Sequence, residues 1–168
     1  MSLLELSYIR QTRRNHGLEH ATIHVLSERI RNLRMAGRSQ PNGFYLYGDV
    51  QTDQVESAVS DAIQRMLAGE HQLAVHPGCG TNLVTAGILS GALALVLSLF
   101  AGKSARWFDR LPNAVMGGVA GVAMARPLGP YMQAHVTTSA DMRGMLIKRI
   151  TRKKIGSMTL HFIETEQP

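Results

Sequence analysis

Three histidines and one glutamate occur at helical spacing near the start of the chain, in the run His16-Gly-Leu-Glu-His-Ala-Thr-Ile-His24. In a helix, His16 and His20 project from one face because they are four residues apart. Two imidazoles at that spacing can bind one metal ion, and Glu19 beside them could take a proton from a metal-bound water. His24 extends the row by one turn. The run therefore predicts a zinc-type site with Glu19 as the general base.

The order H-x-x-E-H resembles the motif of the inverted zinc peptidases. In that family the two histidines bind zinc, the glutamate is the general base, and an acidic residue downstream completes the site. The resemblance covers only residues His16 to His20. On a helix, Glu19 would fall within an apolar stripe, where a carboxylate is costly unless it is paired or coordinating. The alternative is a solvated face of histidine and arginine side chains, with Glu19 paired to an arginine.

A third metal ligand has to come from elsewhere in the chain. His76 and Cys79 are candidates because they lie in the Gly- and Pro-rich turn 76–82, and both side chains suit zinc. Further candidates after the apolar segments are His135 and Asp141. Cys79 is the only cysteine in the chain, which excludes an intrachain disulfide.

Two apolar segments follow this turn. Residues Leu83–Ala101 carry no charge, and a helix of that length spans roughly 28 Å, about the hydrocarbon thickness of a bilayer. The second segment, Leu111–Ala134, is interrupted by Arg126-Pro127, which predicts a short or broken helix with Arg126 near an interface or facing a polar site. The short connection predicts an antiparallel transmembrane hairpin. The alternative for the first segment is a buried core helix.

Small residues and flanking charges indicate the partners of this hairpin. Gly87-x-x-x-Gly91 and Gly117-x-x-x-Gly121 favour close helix packing or self-association. The chain has a net charge of +6, and basic residues beside an apolar anchor favour the lipid bilayer as a partner. No RNA-binding or zinc-finger spacing supports nucleic acid. The charged start of the chain predicts no cleavable signal peptide and a cytoplasmic polar domain.

The rest of the chain predicts a small α+β polar domain into which the hairpin is inserted. We expect helices at Tyr8–Arg34, Thr52–Gly69 and Asp141–Lys154, and strands at Phe44–Tyr47, Gln72–Val75 and Met158–Glu164. His71 and His161 are expected to be ordinary residues at strand edges. The predicted boundaries are 1–82 for the N-terminal part of the polar domain, 83–133 for the hairpin and 134–168 for the C-terminal part.

Three blocks of sequence together resemble a larger pattern. They are H-x-L-E-H-A-T at His16–Thr22, C-G-T-N at Cys79–Asn82 and A-R-P-L-G-P at Ala125–Pro130. Across most of its length the chain is similar to a bacterial domain-of-unknown-function family of small two-span membrane proteins. The resemblance implies that the three blocks belong together and that the protein resides in a bacterial inner membrane. It implies no activity.

These observations lead to three functional hypotheses. The first is a membrane-anchored metalloprotein in which His16, His20 and either His76 or Cys79 hold zinc. Glu19 would activate water for hydrolysis of a peptide or amide bond near the bilayer. The second is a non-enzymatic membrane subunit or assembly factor of a larger complex, whose His cluster is structural or binds a cofactor such as haem. The third is ion or small-molecule handling around Arg126.

Overall fold

A computed structural model of the chain describes residues 3–100, 106–156 and 158–167. The chain divides into two compact units, one made of residues Met1–His76 and Ala134–Pro168, the other of residues Pro77–Gln133. The first unit is discontinuous in sequence because the second is inserted between its two halves. Lys103, in the predicted connection between the apolar segments, lies outside the described residues.

The first unit combines two helices with one antiparallel sheet. The helices are α1 at Ser7–Arg29 and α2 at Thr52–Leu67, with short 3-10 turns at Leu3–Glu5 and His71–Ala74. The strands are β1 at Ala36–Gln40, β2 at Gly43–Tyr47, β3 at Leu146–Ile155 and β4 at Met158–Glu166. Their order in the sheet is β1-β2-β4-β3. The mixed α+β class expected from the sequence is therefore confirmed for this unit.

A single apolar core joins the helices to one face of the sheet. Phe44 on β2 lies opposite Ile163 on β4, and both side chains are fully buried. Helix α2 has an apolar face that contributes Val55, Val59 and Met66 to the same core, at the spacing of successive helical turns. Burial of this face supplies the main stabilisation of α2, because propensity alone rarely maintains a short helix.

The structure corrects three predicted elements. Helix α1 ends at Arg29 rather than Arg34, and Asn32 beyond it has a φ of 58°, which a continuing right-handed helix excludes. Residues Gln72–Val75 form mostly a 3-10 turn instead of a strand. The helix predicted at Asp141–Lys154 is wrong, because residues 146–155 form β3, whose β-branched side chains suit pairing with β4.

The second unit consists of two long helices, α3 at Gly80–Leu99 and α4 at Trp107–Met132. A Cβ added at Gly117 would lie 2.3 Å from the carbonyl oxygen of Leu93, and one at Gly121 would lie 2.4 Å from Cα of Ser90. The contact positions rise along α4 as they fall along α3, so the two helices are antiparallel. These glycines allow the backbones to approach closely.

Two details of the predicted hairpin need correction. Helix α4 runs without a break through Arg126 and Pro127, although three prolines lie inside it. Of the two predicted glycine pairs, Gly117 and Gly121 meet α3. A Cβ added at Gly87 or Gly91 would meet no heavy atom of the described residues within 4 Å beyond the neighbouring turns of its own helix.

Among the described helices, only α3 is both long and apolar enough to cross a bilayer. Its length and composition are those of a membrane-spanning helix.

We expect Gly121→Ala to destabilise the second unit, because its methyl group would meet the backbone of Ser90 and force the helices apart. Overpacking of this kind costs about 1–3 kcal/mol. The measurement is the free energy of unfolding of the full-length protein in mild detergent, followed by circular dichroism.

Gly118→Ala is the matched control, since a Cβ at Gly118 meets nothing within 4 Å. That variant should be as stable as the wild type or slightly more stable, because alanine favours a helix over glycine. Equal destabilisation by both substitutions would contradict the close approach at Gly121.

Candidate metal centre

Two histidines of α1 are oriented by backbone carbonyl groups of distant segments. The Nδ1 atom of His16 lies 2.9 Å from the carbonyl oxygen of Thr137, and that of His20 lies 2.8 Å from the carbonyl oxygen of Ala74. A carbonyl oxygen only accepts, so each Nδ1 carries the hydrogen and donates it. In a neutral imidazole this leaves the lone pair on Nε2, the form that metal-binding histidines use.

Four histidines of the first unit form one cluster, the histidine cluster, made of His16, His20, His24 and His76. The ring centroids of His16 and His20 are 4.4 Å apart in an edge-on arrangement. His76 lies 5.7 Å from His20 and 4.9 Å from His24, centroid to centroid. The structure therefore places His76, one of the two candidates for a third ligand, beside the histidines of α1.

The contacts of the other two cluster members define the tautomer of His24 and the protonation state of His76. His24 Nε2 donates to the carbonyl oxygen of Val75 at 2.9 Å, so its lone pair is on Nδ1. Burial, together with the neighbouring His24 and His20 rings, lowers the pKa of His76 to about 4. His76 is therefore neutral at physiological pH, and a neutral imidazole is the form that can bind a metal ion.

The segment after α4 can reach His16 because of a glycine on α1. A Cβ at Gly17 would lie 2.1 Å from the carbonyl oxygen of Ser139, so no other residue leaves room for this segment. The Ser139 N–H donates to the carbonyl oxygen of Arg13 at 2.9 Å. The Arg13 guanidinium donates in turn to the carbonyl oxygens of His135 and Thr138, both at 3.1 Å. These contacts hold the carbonyl group of Thr137 over His16.

Glu19 is buried on α1, with 4% of its surface exposed, and faces strand β1. Its Oε2 accepts a hydrogen bond from the Ser39 hydroxyl at 2.5 Å. A Cβ at Gly37 would lie 2.1 Å from Oε1, so β1 passes directly over the carboxylate. The sequence placed Glu19 in the apolar stripe of α1, and the structure supplies the polar partner that a carboxylate there requires.

Cys79 belongs to the second unit, where it caps the N-terminus of α3. Its Sγ accepts from the Thr81 N–H at 3.4 Å. The positive end of a helix dipole favours the thiolate, which is the metal-binding form of cysteine. Only two residues separate Cys79 from His76, so chain connectivity keeps their Cα atoms within roughly 11 Å.

The other candidate residues lie in separate places. The His135 side chain is exposed, and its backbone oxygen accepts from Arg13. Asp141 is exposed and pairs with Arg143, which lowers the pKa of its carboxyl group to about 2. Arg126 is exposed on α4. His71 is exposed on the 3-10 turn rather than at a strand edge.

His161 corrects a prediction, because it lies in an inner strand of the sheet and is fully buried. Its Nε2 lies 3.2 Å from the Thr52 hydroxyl, and Arg152 is its partner in the register of β3. Burial, and to a smaller extent the charge of Arg152, lowers the pKa of His161. The alternation of β4 could have indicated this, since His161 shares the face of Ile163.

The residues that sequence reasoning missed are the backbone acceptors Ala74, Val75 and Thr137. A carbonyl group is present at every position, so its use leaves no signature in residue type. The single signal available was Gly17, a helix-interior glycine directly after the first histidine, which indicates close backbone approach.

Comparison with known proteins identifies the family. Residues 11–150 match the family described as a domain of unknown function (DUF6391), and the chain belongs to it. An uncharacterized protein of Picosynechococcus sp. is 38% identical over 157 residues, covering 83% of this chain and 70% of that protein. No solved structure matches the chain. The expected membership of a domain-of-unknown-function family is thus confirmed, while two-span topology and the zinc-peptidase resemblance stay predictions.

We expect His161 to make the first unit sensitive to mild acid. Its folded pKa is below the value near 6.5 of the unfolded chain, so the unfolded state binds more protons as the pH falls. The stability contributed by neutral His161 is present above pH 6.5 and is lost below it. One such proton gives a slope of up to about 1.4 kcal/mol per pH unit.

The measurement is the free energy of unfolding between pH 7.5 and about 5. His161→Gln should have a shallower slope than the wild type, whereas His71→Gln, at an exposed position, should keep the wild-type slope. The interpretation fails if the two variants have the same slope.

Proposed function

We propose that this protein is a membrane-associated metalloprotein with a zinc-type centre in which His16 and His20 are ligands. The observation that carries the proposal is the pair of Nδ1–H hydrogen bonds to the carbonyl oxygens of Thr137 and Ala74. Metal-binding histidines almost always donate the second ring N–H in this way, which fixes the ring and its tautomer. Two adjacent histidines with the same arrangement and rings 4.4 Å apart support a shared ion.

The third ligand is His76 or Cys79. His76 is favoured by its ring contacts with His20 and His24. Cys79 is favoured by its chemistry, because a thiolate at a helix N-terminus is a strong zinc ligand. Three protein ligands leave the fourth position of a tetrahedral ion open, as in catalytic zinc sites.

The hydrolytic form of the proposal assigns Glu19 as the general base. A zinc ion at this position would lower the pKa of water and polarise a carbonyl group. Glu19 follows His16 by three residues, and its hydrogen bond from Ser39 fixes its rotamer. The carboxylate would take the proton from water and pass it to the leaving amine of a peptide or amide bond.

A non-enzymatic membrane subunit or assembly factor is the second candidate. The same contacts of Glu19 favour it, since Ser39 and the backbone at Gly37 already surround the carboxylate and give it a structural use. In this form the metal would be structural or would be delivered to a partner. Haem ligation through the same imidazoles belongs to this candidate and stays a prediction.

The membrane part of the proposal rests on α3, whose length and hydropathy suit a bilayer. Helix α4 packs along α3 through Gly117 and Gly121, and we place both helices in the membrane as an antiparallel hairpin. The polar unit would then lie at the surface of a bacterial inner membrane, on its cytoplasmic side. Lipid and the helices of other membrane proteins are the expected partners.

We expect the purified full-length protein to carry about one zinc ion per chain, measured by elemental mass spectrometry. His16→Ala and His20→Ala should each weaken zinc binding by at least roughly 100-fold, because loss of an orienting group alone costs 10–100-fold. His71→Ala, at an exposed site outside the cluster, should bind like the wild type. A wild-type protein that carries no stoichiometric metal, or that carries haem instead, would contradict the proposed zinc centre.

Cobalt substitution decides the third ligand in the same preparation. A thiolate-to-cobalt charge-transfer band that is absent in Cys79→Ser would assign Cys79. Absence of that band, with loss of affinity in His76→Ala, would assign His76. Full affinity in both variants would exclude both residues.

We expect Glu19→Gln to keep zinc and to lose hydrolysis of amide bonds by about 10²–10⁴-fold, the usual contribution of general-base catalysis. The amide can still accept the Ser39 hydrogen bond, so the fold is preserved. The readout is cleavage of a fluorogenic peptide library by the protein in lipid nanodiscs. Glu28→Gln, at an exposed carboxylate of the same helix that pairs with Arg65, is the control.

If the wild type cleaves nothing, the hydrolase is excluded and the non-enzymatic candidate is selected. If Glu19→Gln stays fully active, Glu19 is excluded as the general base. The metal centre itself would survive either result.

A further inference from the structure

A polar cleft lies beside the first turns of α1, within the first unit. It has a volume of about 440 Å³. It is lined by four arginines, two acids and one serine: Arg10, Arg13, Arg14, Arg143, Glu5, Asp141 and Ser139. We call it the arginine cleft. None of these residues belongs to the histidine cluster.

Two of the arginines are fixed in place before any ligand arrives. Arg14 is 4% exposed, and its Nε donates to the carbonyl oxygen of Asp141 at 2.7 Å while its Nη2 donates to that of Arg143. Arg13 donates from Nη2 to the carbonyl oxygens of His135 and Thr138. A long side chain normally loses rotamer entropy when it binds a ligand. Arg13 and Arg14 are already ordered in the folded protein, so ligand binding would cost less entropy.

The charges of the cleft do not cancel. Four guanidinium groups face two carboxylates, which leaves a net charge of +2 among the lining residues. Asp141 forms an ion pair with Arg143, whose Nε and Nη2 atoms lie 2.8 and 2.9 Å from the two carboxylate oxygens. Burial is the main cause that lowers the pKa of Arg14; the charge of Asp141 opposes this effect, and the charges of Arg10 and Arg143 make smaller contributions in the lowering direction.

One donor of a lining residue also lacks an acceptor. The Nε atom of Arg13 is buried and has no hydrogen-bond partner among the described residues. Buried polar groups are nearly always satisfied, and an exception calls for a reason such as a bound ion. An anion in the cleft would reduce the repulsion among the guanidinium groups.

We propose that the arginine cleft binds a phosphate group. Arginine forks match the tetrahedral oxygens of phosphate with paired hydrogen bonds, and a net charge of +2 matches a phosphate dianion. The cleft volume exceeds that of a bare phosphate, so the group would be carried by a small phosphorylated molecule or by a lipid headgroup. The inference goes beyond the metal centre and does not depend on it.

The test uses the full-length protein and two sources of phosphate. In the first arm, inorganic phosphate is titrated into protein in neutral detergent, and binding is measured by calorimetry. In the second arm, the protein is placed in phosphatidylcholine nanodiscs with or without phosphatidic acid, and lipid retention is measured by native mass spectrometry. The variants are Arg10→Gln, which removes a lining charge, and Arg10→Lys, which retains it.

The control is Arg31→Gln, at an exposed position of the same unit outside the cleft. We expect Arg10→Gln to weaken phosphate binding roughly tenfold, Arg10→Lys to recover part of it and Arg31→Gln to leave it unchanged. Binding in the first arm identifies a soluble phosphorylated ligand, and binding in the second arm alone identifies a lipid headgroup. Absence of binding in both arms, or equal losses in Arg10→Gln and Arg31→Gln, overturns the proposal.

Discussion

The first unit depends on how the buried polar side chains of one helix obtain hydrogen-bond partners. Helix α1 buries His20, Asn15 and Arg14 as well as apolar residues. A buried polar group left unsatisfied costs about 1–3 kcal/mol, so each needs a partner from another element. Backbone carbonyl groups are the main partners: Ala74 for His20, Gln40 and Pro41 for Asn15, and Asp141 and Arg143 for Arg14.

This constraint explains why two short segments outside the sheet pack closely against α1. Most carbonyl groups of α1, α2 and the sheet pair within their own elements. Several of those in the 3-10 turn at His71–Ala74, in the π-helix at Gln133–Thr137 and in the loop after it are available for side chains of α1. These segments can approach closely because Gly17 has no side chain in their path. The same arrangement orients the histidines and fixes two arginines, so both candidate sites follow from one rule of hydrogen-bond satisfaction. It also makes the sites rigid, which favours ligand binding.

Much of the fold could be predicted from the sequence, because the spacing of apolar residues indicates which face of a helix or strand is buried. The apolar spacing of Val55, Ala58, Ala62 and Met66 predicted α2, and the alternation after Met158 predicted β4. The failure at β3 has a physical cause: its charged residues sit on an exposed edge strand, where the apolar signal is weak. For the candidate site, the H-x-x-E-H order indicated His16 and His20. It could not indicate Thr137 or Ala74, since a backbone acceptor has no residue type.

The insertion of the second unit between the two halves of the first sets an order of events during synthesis. The hydrogen-bond acceptors of His20 and His24 are residues 74 and 75, which are synthesised before the apolar helices. The acceptor of His16 is residue 137, which is synthesised only after both helices. The histidine row is therefore completed in two stages, and the second stage waits for the inserted unit. A nascent or truncated chain would present an unfinished histidine row, so the complete arrangement of the three rings is a property of the finished protein.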